Sequence, residues 1–93
     1  MSYSLIGTAK SYCINGTTST GSQTCLGTIA VNPKVIIYHK KLHVSLNGGS
    51  YDDESLDKGG DLRKNLIIVD LWFPTKDECD NFGTKQVTVT WND

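Results

Sequence analysis

The sequence predicts a mainly β domain on the α+β border. It should hold a five-stranded antiparallel or mixed sheet, able to curl into a partial barrel, and one short helix over residues 75–82. Three observations carry this. Gly is frequent at nine and Pro rare at two, while Val and Thr recur in short runs, a mixture that favours strands and turns. Several segments alternate apolar and polar residues with a period of two. Only PTKDECDNFG carries helix start and stop signals together.

Residues 4–14, SLIGTAKSYCI, read as a half-alternating strand with a soft position at Gly7. The turn-rich NGTTSTGSQ follows, and TCLGTIAV returns as a second strand, so the two are expected to form a hairpin. Asn32-Pro33 marks a turn, because proline lacks a donor and restricts the residue before it. From Val35 the chain runs VIIYHKKLHVSL. Leu42, Val44 and Leu46 fall on one face, and His39, Lys41, His43 and Ser45 on the other. Lys40 falls on the apolar parity, so a bulge or turn is expected near 39–41.

Residues 47–65 are the longest polar stretch. Asn47-Gly48-Gly49 and Gly59-Gly60 read as turns, DDESLD between them as one helical turn capped by Ser50 or Asp52, and the remainder as exposed loop. Residues 65–73, NLIIVDLWF, are the most hydrophobic segment and predict a central strand covered on both faces. In the next segment Thr75 and Glu78 have capping-box spacing, Cys79 and Phe82 form one apolar stripe, and Gly83 supplies a left-handed exit. KQVTVTW closes as an alternating strand with Val87, Val89 and Trp91 inward.

Ninety-three residues make a single compact β-rich domain, 1–93, with a thin core. No apolar run approaches the roughly 20 residues that span a bilayer, so no membrane partner is expected. The N-terminus has neither the basic region nor the apolar stretch of a secretory signal. Charge is split: residues 1–51 hold four lysines and no acid, and residues 52–93 hold ten acids against five basic residues, for a net charge of −1. Interleaved strands would convert this split into intramolecular pairing. A single arginine and ten acids argue against a single-stranded nucleic-acid-binding sheet, although YHKKLHVSL has the raw material for one.

Cys13 and Cys25 flank the turn-rich loop, and a closed hairpin would place them for a disulfide. With that bond the chain reads as a secreted mature form, and without it as cytoplasmic. The sequon Asn15-Gly16-Thr17 suits a surface loop. His39 and His43 in a strand lie too far apart to share one ion, about 13 Å, so no metal site is expected. The acids Asp52, Asp53, Glu54, Asp57 and Asp61 depart from the calcium-loop pattern, with Asp57 where glycine belongs. Gly48-Gly49 and Gly59-Gly60 lack the lysine of a phosphate cradle, so no cofactor is expected.

No catalytic residue set stands out. The expected function is therefore that of a non-enzymatic protein-binding module, an inhibitor, effector or accessory protein. Its contact residues would be Tyr38, His39, Lys41, His43 and Tyr51, facing a protein partner with an acidic surface. Self-association through an edge strand is a further route. The enzymatic alternative is a small hydrolase with a Cys/His or carboxylate site. It requires two such groups on rigid elements, and most acids lie in one loop. Asp70, the exception inside LIIVDLWF, is expected to pair structurally with a lysine from the first half of the chain more than to act in catalysis.

Overall fold

The computed structural model describes residues 1–59 and 67–92. The first strand, β1 (Ser2–Tyr12), is bonded on one side to the last, β6 (Lys85–Asn92), and on the other to β5 (Ile67–Trp72). β2 (Thr28–Val31), β3 (Lys41–Leu46) and β4 (Gly49–Lys58) complete the order β1-β5-β2-β4-β3-β6, which closes into a barrel. β1 runs parallel to β5 and β2 parallel to β4, while the other neighbours are antiparallel. The fold is mainly β and barrel-forming as expected, with one strand more than expected. Among the described residues no helix is long and apolar enough to cross a membrane.

The additional strand is β4, where the sequence suggested a helical turn in a polar loop. Asn47-Gly48 is a two-residue hairpin turn, with Gly48 at φ 96° and Leu46 opposite Gly49. Glycine takes the positive φ at the second turn position without steric cost. The register then sets Lys41 opposite Glu54 and His43 opposite Asp52. A lysine and a hydrogen-bonding histidine across from these acids offset the poor strand propensity of Asp and Glu. Gly60 and the polar residues after it, Asp61 included, lie outside the described residues.

A second correction concerns the expected hairpin of the first two strands. β1 and β2 are not neighbours, because β5 lies between them. A third concerns VIIYHKKLHVSL, whose strand begins only at Lys41. The chain does turn at 39–41, where His39 adopts φ 66°. Before that, Asn32 accepts from the amides of Val35 and Ile36 through its carbonyl and from Lys34 through its side chain, which folds the chain over Pro33. Closure of the barrel also removes the free edge on which edge-strand self-association depends.

Alternation fills the interior. Ile29 and Val31, Leu42 and Val44, Val69 and Leu71, and Val87 and Val89 are all buried, joined by Ala9 and by Ile36 from the loop. Ser55 is a polar residue among them, with no exposed surface, as is Thr28 at the start of β2. The helix α1 (Lys76–Phe82) starts where the capping signals place it: the Thr75 hydroxyl accepts from the Glu78 amide at 3.1 Å. It ends at Gly83, φ 63°, whose amide donates to Cys79 at 2.9 Å. Cys79 and Phe82 are its buried stripe, and Phe82 meets Phe73 and Tyr51 with ring centroids 5.4 and 6.0 Å away.

Candidate functional site

The residues expected to form a contact face divide in two. His39, Lys41 and His43 are exposed. Tyr38 packs against the core, and Tyr51 turns inward to Phe73 and Phe82. The exposed three are also less basic as a surface than their sequence suggests. His43 Nδ1 lies 2.6 Å from Asp52, and His39 Nδ1 lies 3.6 Å from Glu54. Lys41 and His43 do border a groove of about 670 Å³, beside Trp91, whose ring stacks on Tyr3 at 5.4 Å.

A different constellation lies on the outer surface where β1, β5, β2 and β4 run side by side. The registers place Lys10, Asp70, Ala30 and Asp57 in one row across these four strands. A bulge in β4 makes this possible: opposite the step from Ile29 to Ala30, β4 advances from Ser55 to Asp57. The extra residue lets the buried Ser55 face the interior and Asp57 the exterior. Asp57 and Asp70 thus flank Ala30, on backbones two strand spacings apart, about 9.6 Å.

The strip between the carboxylates is covered by the backbone of Gly59, which packs on Ala30 and Asp70. The Gly59 amide donates to the Val31 carbonyl at 2.9 Å. A Cβ at Gly59 would stand 2.7 Å from Asp70 Oδ2 and 2.8 Å from the Ala30 Cβ. Tyr12, at the end of β1, reaches across and donates its hydroxyl to Asp57 Oδ2 at 3.2 Å. Burial, then the charge and hydrogen bond of Asp57, and then the charge of Asp70 push its phenol well above the ordinary value. Tyr12 is therefore a neutral donor held between two acids.

One wall is the segment 13–27, of which the sequence marked 15–23 as a polar loop; the strands expected on either side stop at Tyr12 and resume at Thr28. Thr18 is buried and serves as its hub, meeting Ser22 and Thr20 through its hydroxyl at 2.8 and 3.1 Å. Thr20 donates its hydroxyl to the Leu56 carbonyl, the bulged residue of β4, at 2.7 Å. Asp57 Oδ1 accepts from the Ser19 amide, the Ser19 hydroxyl and the Lys58 amide at 2.9, 3.1 and 2.9 Å. The result is a groove of about 210 Å³ lined by Tyr12, Ile14, Gly16, Thr17, Thr24, Asp57 and Lys58.

Partial burial opposes ionisation of Asp57, but the Ser19 and Lys58 amides, the Ser19 hydroxyl and Tyr12 together hold its pKa below the usual carboxylate range. Asp53 behaves oppositely: burial, then the charge of Asp52, raises its pKa. Because its folded pKa exceeds the unfolded one, ionised Asp53 subtracts stability above both values, and no penalty remains below the unfolded pKa. Asp53→Asn is expected to raise stability at pH 7 by less than about 1 kcal/mol, given its half exposure, and to give no gain at pH 3. Urea unfolding at the two pH values checks this.

Among the described residues no three His, Cys, Asp or Glu side chains converge as metal ligands. Along β4, Asp52 points outward and Asp53 inward beside Leu42, which separates the acids suggested for calcium. Cys13 is half-buried, Cys25 exposed and Cys79 buried, all as free thiols. The hairpin that would have set Cys13 against Cys25 is not formed.

No protein-family model matches the chain. Over 63 residues, 68% of its length, it is 38% identical to the SPbeta prophage-derived uncharacterized protein YorM of Bacillus subtilis (strain 168). The matched region is 26% of that protein, so the chain corresponds to about a quarter of the relative's length.

Proposed function

We propose that this domain is an acid–base hydrolase of glycosidic bonds, acting through Asp57 and Asp70. The observation that supports it is the row Asp57–Ala30–Asp70, two carboxylates on rigid strands with the Tyr12 hydroxyl between them. A carboxylate dyad that shares one proton needs its groups about 3 Å apart. Backbones two strands apart, about 9.6 Å, instead suit the wider spacing of two-carboxylate glycoside cleavage. Asp57, kept ionised by four donors, faces the positive charge that develops on the sugar ring. Asp70 protonates the leaving oxygen, and Tyr12, whose proton is committed to Asp57, orients that carboxylate.

The test is release of reducing ends from soluble hexose and N-acetylhexosamine oligosaccharides. Asp57→Asn and Asp70→Asn should each lower the rate by about 10²–10⁴-fold, as loss of a general acid or base does, with circular dichroism confirming the fold. Absence of release by the wild type across the set, or an unchanged rate in Asp70→Asn, would overturn the reading.

A second reading, the protein-binding module, is favoured by exposure of His39, Lys41 and His43 on one side, with Lys41 and His43 bordering the Trp91 groove. Because acids of β4 stand beside them, charge would act there in setting register more than in steering encounter. A pull-down comparing wild type with H39E/K41E/H43E is expected to lose the specific partner. Equal recovery by the two proteins rejects this face.

A further inference from the structure

Cys13 directly follows Tyr12 at the end of β1, two residues beyond Ser11. The Ser11 hydroxyl donates to the backbone carbonyl of Cys79 at 2.9 Å, and the Phe73 amide donates to the carbonyl of Tyr12 at 2.9 Å. The end of β1 is thereby stitched to the helix and to the segment leading into it. Within this seam the thiols of Cys13 and Cys79 lie close enough to influence each other, with Cys79 only 8% exposed and Cys13 half-buried. Burial, foremost, and the neighbouring thiol raise the pKa of Cys79, which leaves the more accessible Cys13 as the entry point for an oxidant.

We propose that Cys13 and Cys79 form a reversible disulfide that clamps the helix to the Tyr12-bearing end of β1. The oxidant is a small-molecule disulfide such as oxidised glutathione. The Cys13 thiolate attacks one of its sulfurs and expels one glutathione thiolate, giving a mixed disulfide at Cys13. Cys79, losing its proton to solvent, then attacks the Cys13 sulfur and expels the second glutathione. Two thiols of the protein are oxidised by two electrons, and one disulfide is reduced to two glutathione molecules. The crosslink encloses most of the chain, the class of loop for which restricting the unfolded state has the largest effect.

The experiment uses Cys25→Ser, which removes the exposed thiol and leaves the seam intact. The folded variant is incubated with oxidised glutathione, denatured, alkylated, and analysed by intact mass and peptide mapping. The expected result is loss of two hydrogens, no alkylation, and a linked pair of peptides containing Cys13 and Cys79. The melting temperature should rise by about 10 °C and return with reductant. In wild type the same link should form with Cys25 left outside it. A persistent glutathione adduct on Cys13 without the link, two alkylated thiols in Cys25→Ser, or a Cys13–Cys25 link in wild type would overturn the proposal. Cys79→Ser should trap the adduct on Cys13, and a variant equally resistant to alkylation at Cys13 without any adduct would also count against it.

Discussion

Phe82→Ala is expected to destabilise the domain by about 3–5 kcal/mol, the cost of removing a large aromatic from a packed site. Phe82 is 6% exposed and is the point at which the helix joins the barrel. Its ring meets Phe73 and Tyr51 and lies under the Lys85 ammonium, 5.6 Å from the ring centroid. Truncation removes the apolar area and also leaves two aromatic neighbours facing a void. A domain of this size has a total stability of roughly 5–10 kcal/mol, so the variant should unfold at far lower urea with a similar slope. A shift below about 1 kcal/mol would show that α1 is an appendage and not part of the core.

The second large effect is expected at Ser55. Ser55→Ala removes only one oxygen, yet that oxygen donates to the Ile37 carbonyl at 2.8 Å and accepts from the Lys40 amide at 3.0 Å. Backbone bonds run alongside: the His39 amide donates to the Ser55 carbonyl at 2.7 Å, and the Ser55 amide donates to the Lys40 carbonyl at 3.0 Å. Together they hold the turn in which His39 takes positive φ and from which Ile36 enters the core. Without the hydroxyl, buried backbone groups lose their partner, a cost of about 1–3 kcal/mol. The loss should be larger than the volume change alone predicts. Hydrogen exchange should locate it, with protection falling first at Lys40. Unchanged protection there would show that the backbone bonds hold the turn alone.

The parts of the fold legible in the sequence were those governed by neighbours along the chain. Thr75, Glu78 and Gly83 specify the helix through contacts within one or two turns, and Val87 and Val89 specify their strand by alternation. β4 was illegible because Asp, Glu and Ser have little strand preference of their own; its strand exists because Lys41 and His43 stand across from Glu54 and Asp52. The hairpin of the first two strands failed for a related reason. β1 takes its neighbours from residues 67–92, a choice that turn-rich composition between the strands does not encode.

The candidate site divides along the same line. Asp70 is conspicuous as a lone acid among apolar residues. Asp57 was hidden inside an acidic run, and nothing local to Tyr12 marks it as the partner of either. Only the β4 bulge and the placement of β2 between β4 and β5 align the two carboxylates. Gly59 carries a readable mark, since glycine next to a strand end can signal close approach, but the Asp70 oxygen and Ala30 that it approaches are distant in sequence.

Pairing of the first strand with the last has a kinetic consequence. Ser2 stands opposite Asn92, and Tyr3 opposite Trp91, so the barrel can close only when the two ends of the described chain meet. The two parallel pairings add crossovers that bring their reward late, after the loop entropy has been spent. Folding should therefore take milliseconds to seconds, far slower than a helical bundle of equal length. During synthesis β1 must wait, with its inward residues exposed, until residues 85–92 leave the ribosome. In that interval β1 keeps two open edges until residues 67–72 emerge and one thereafter, and the domain is more prone to aggregation as a nascent chain than as a finished barrel.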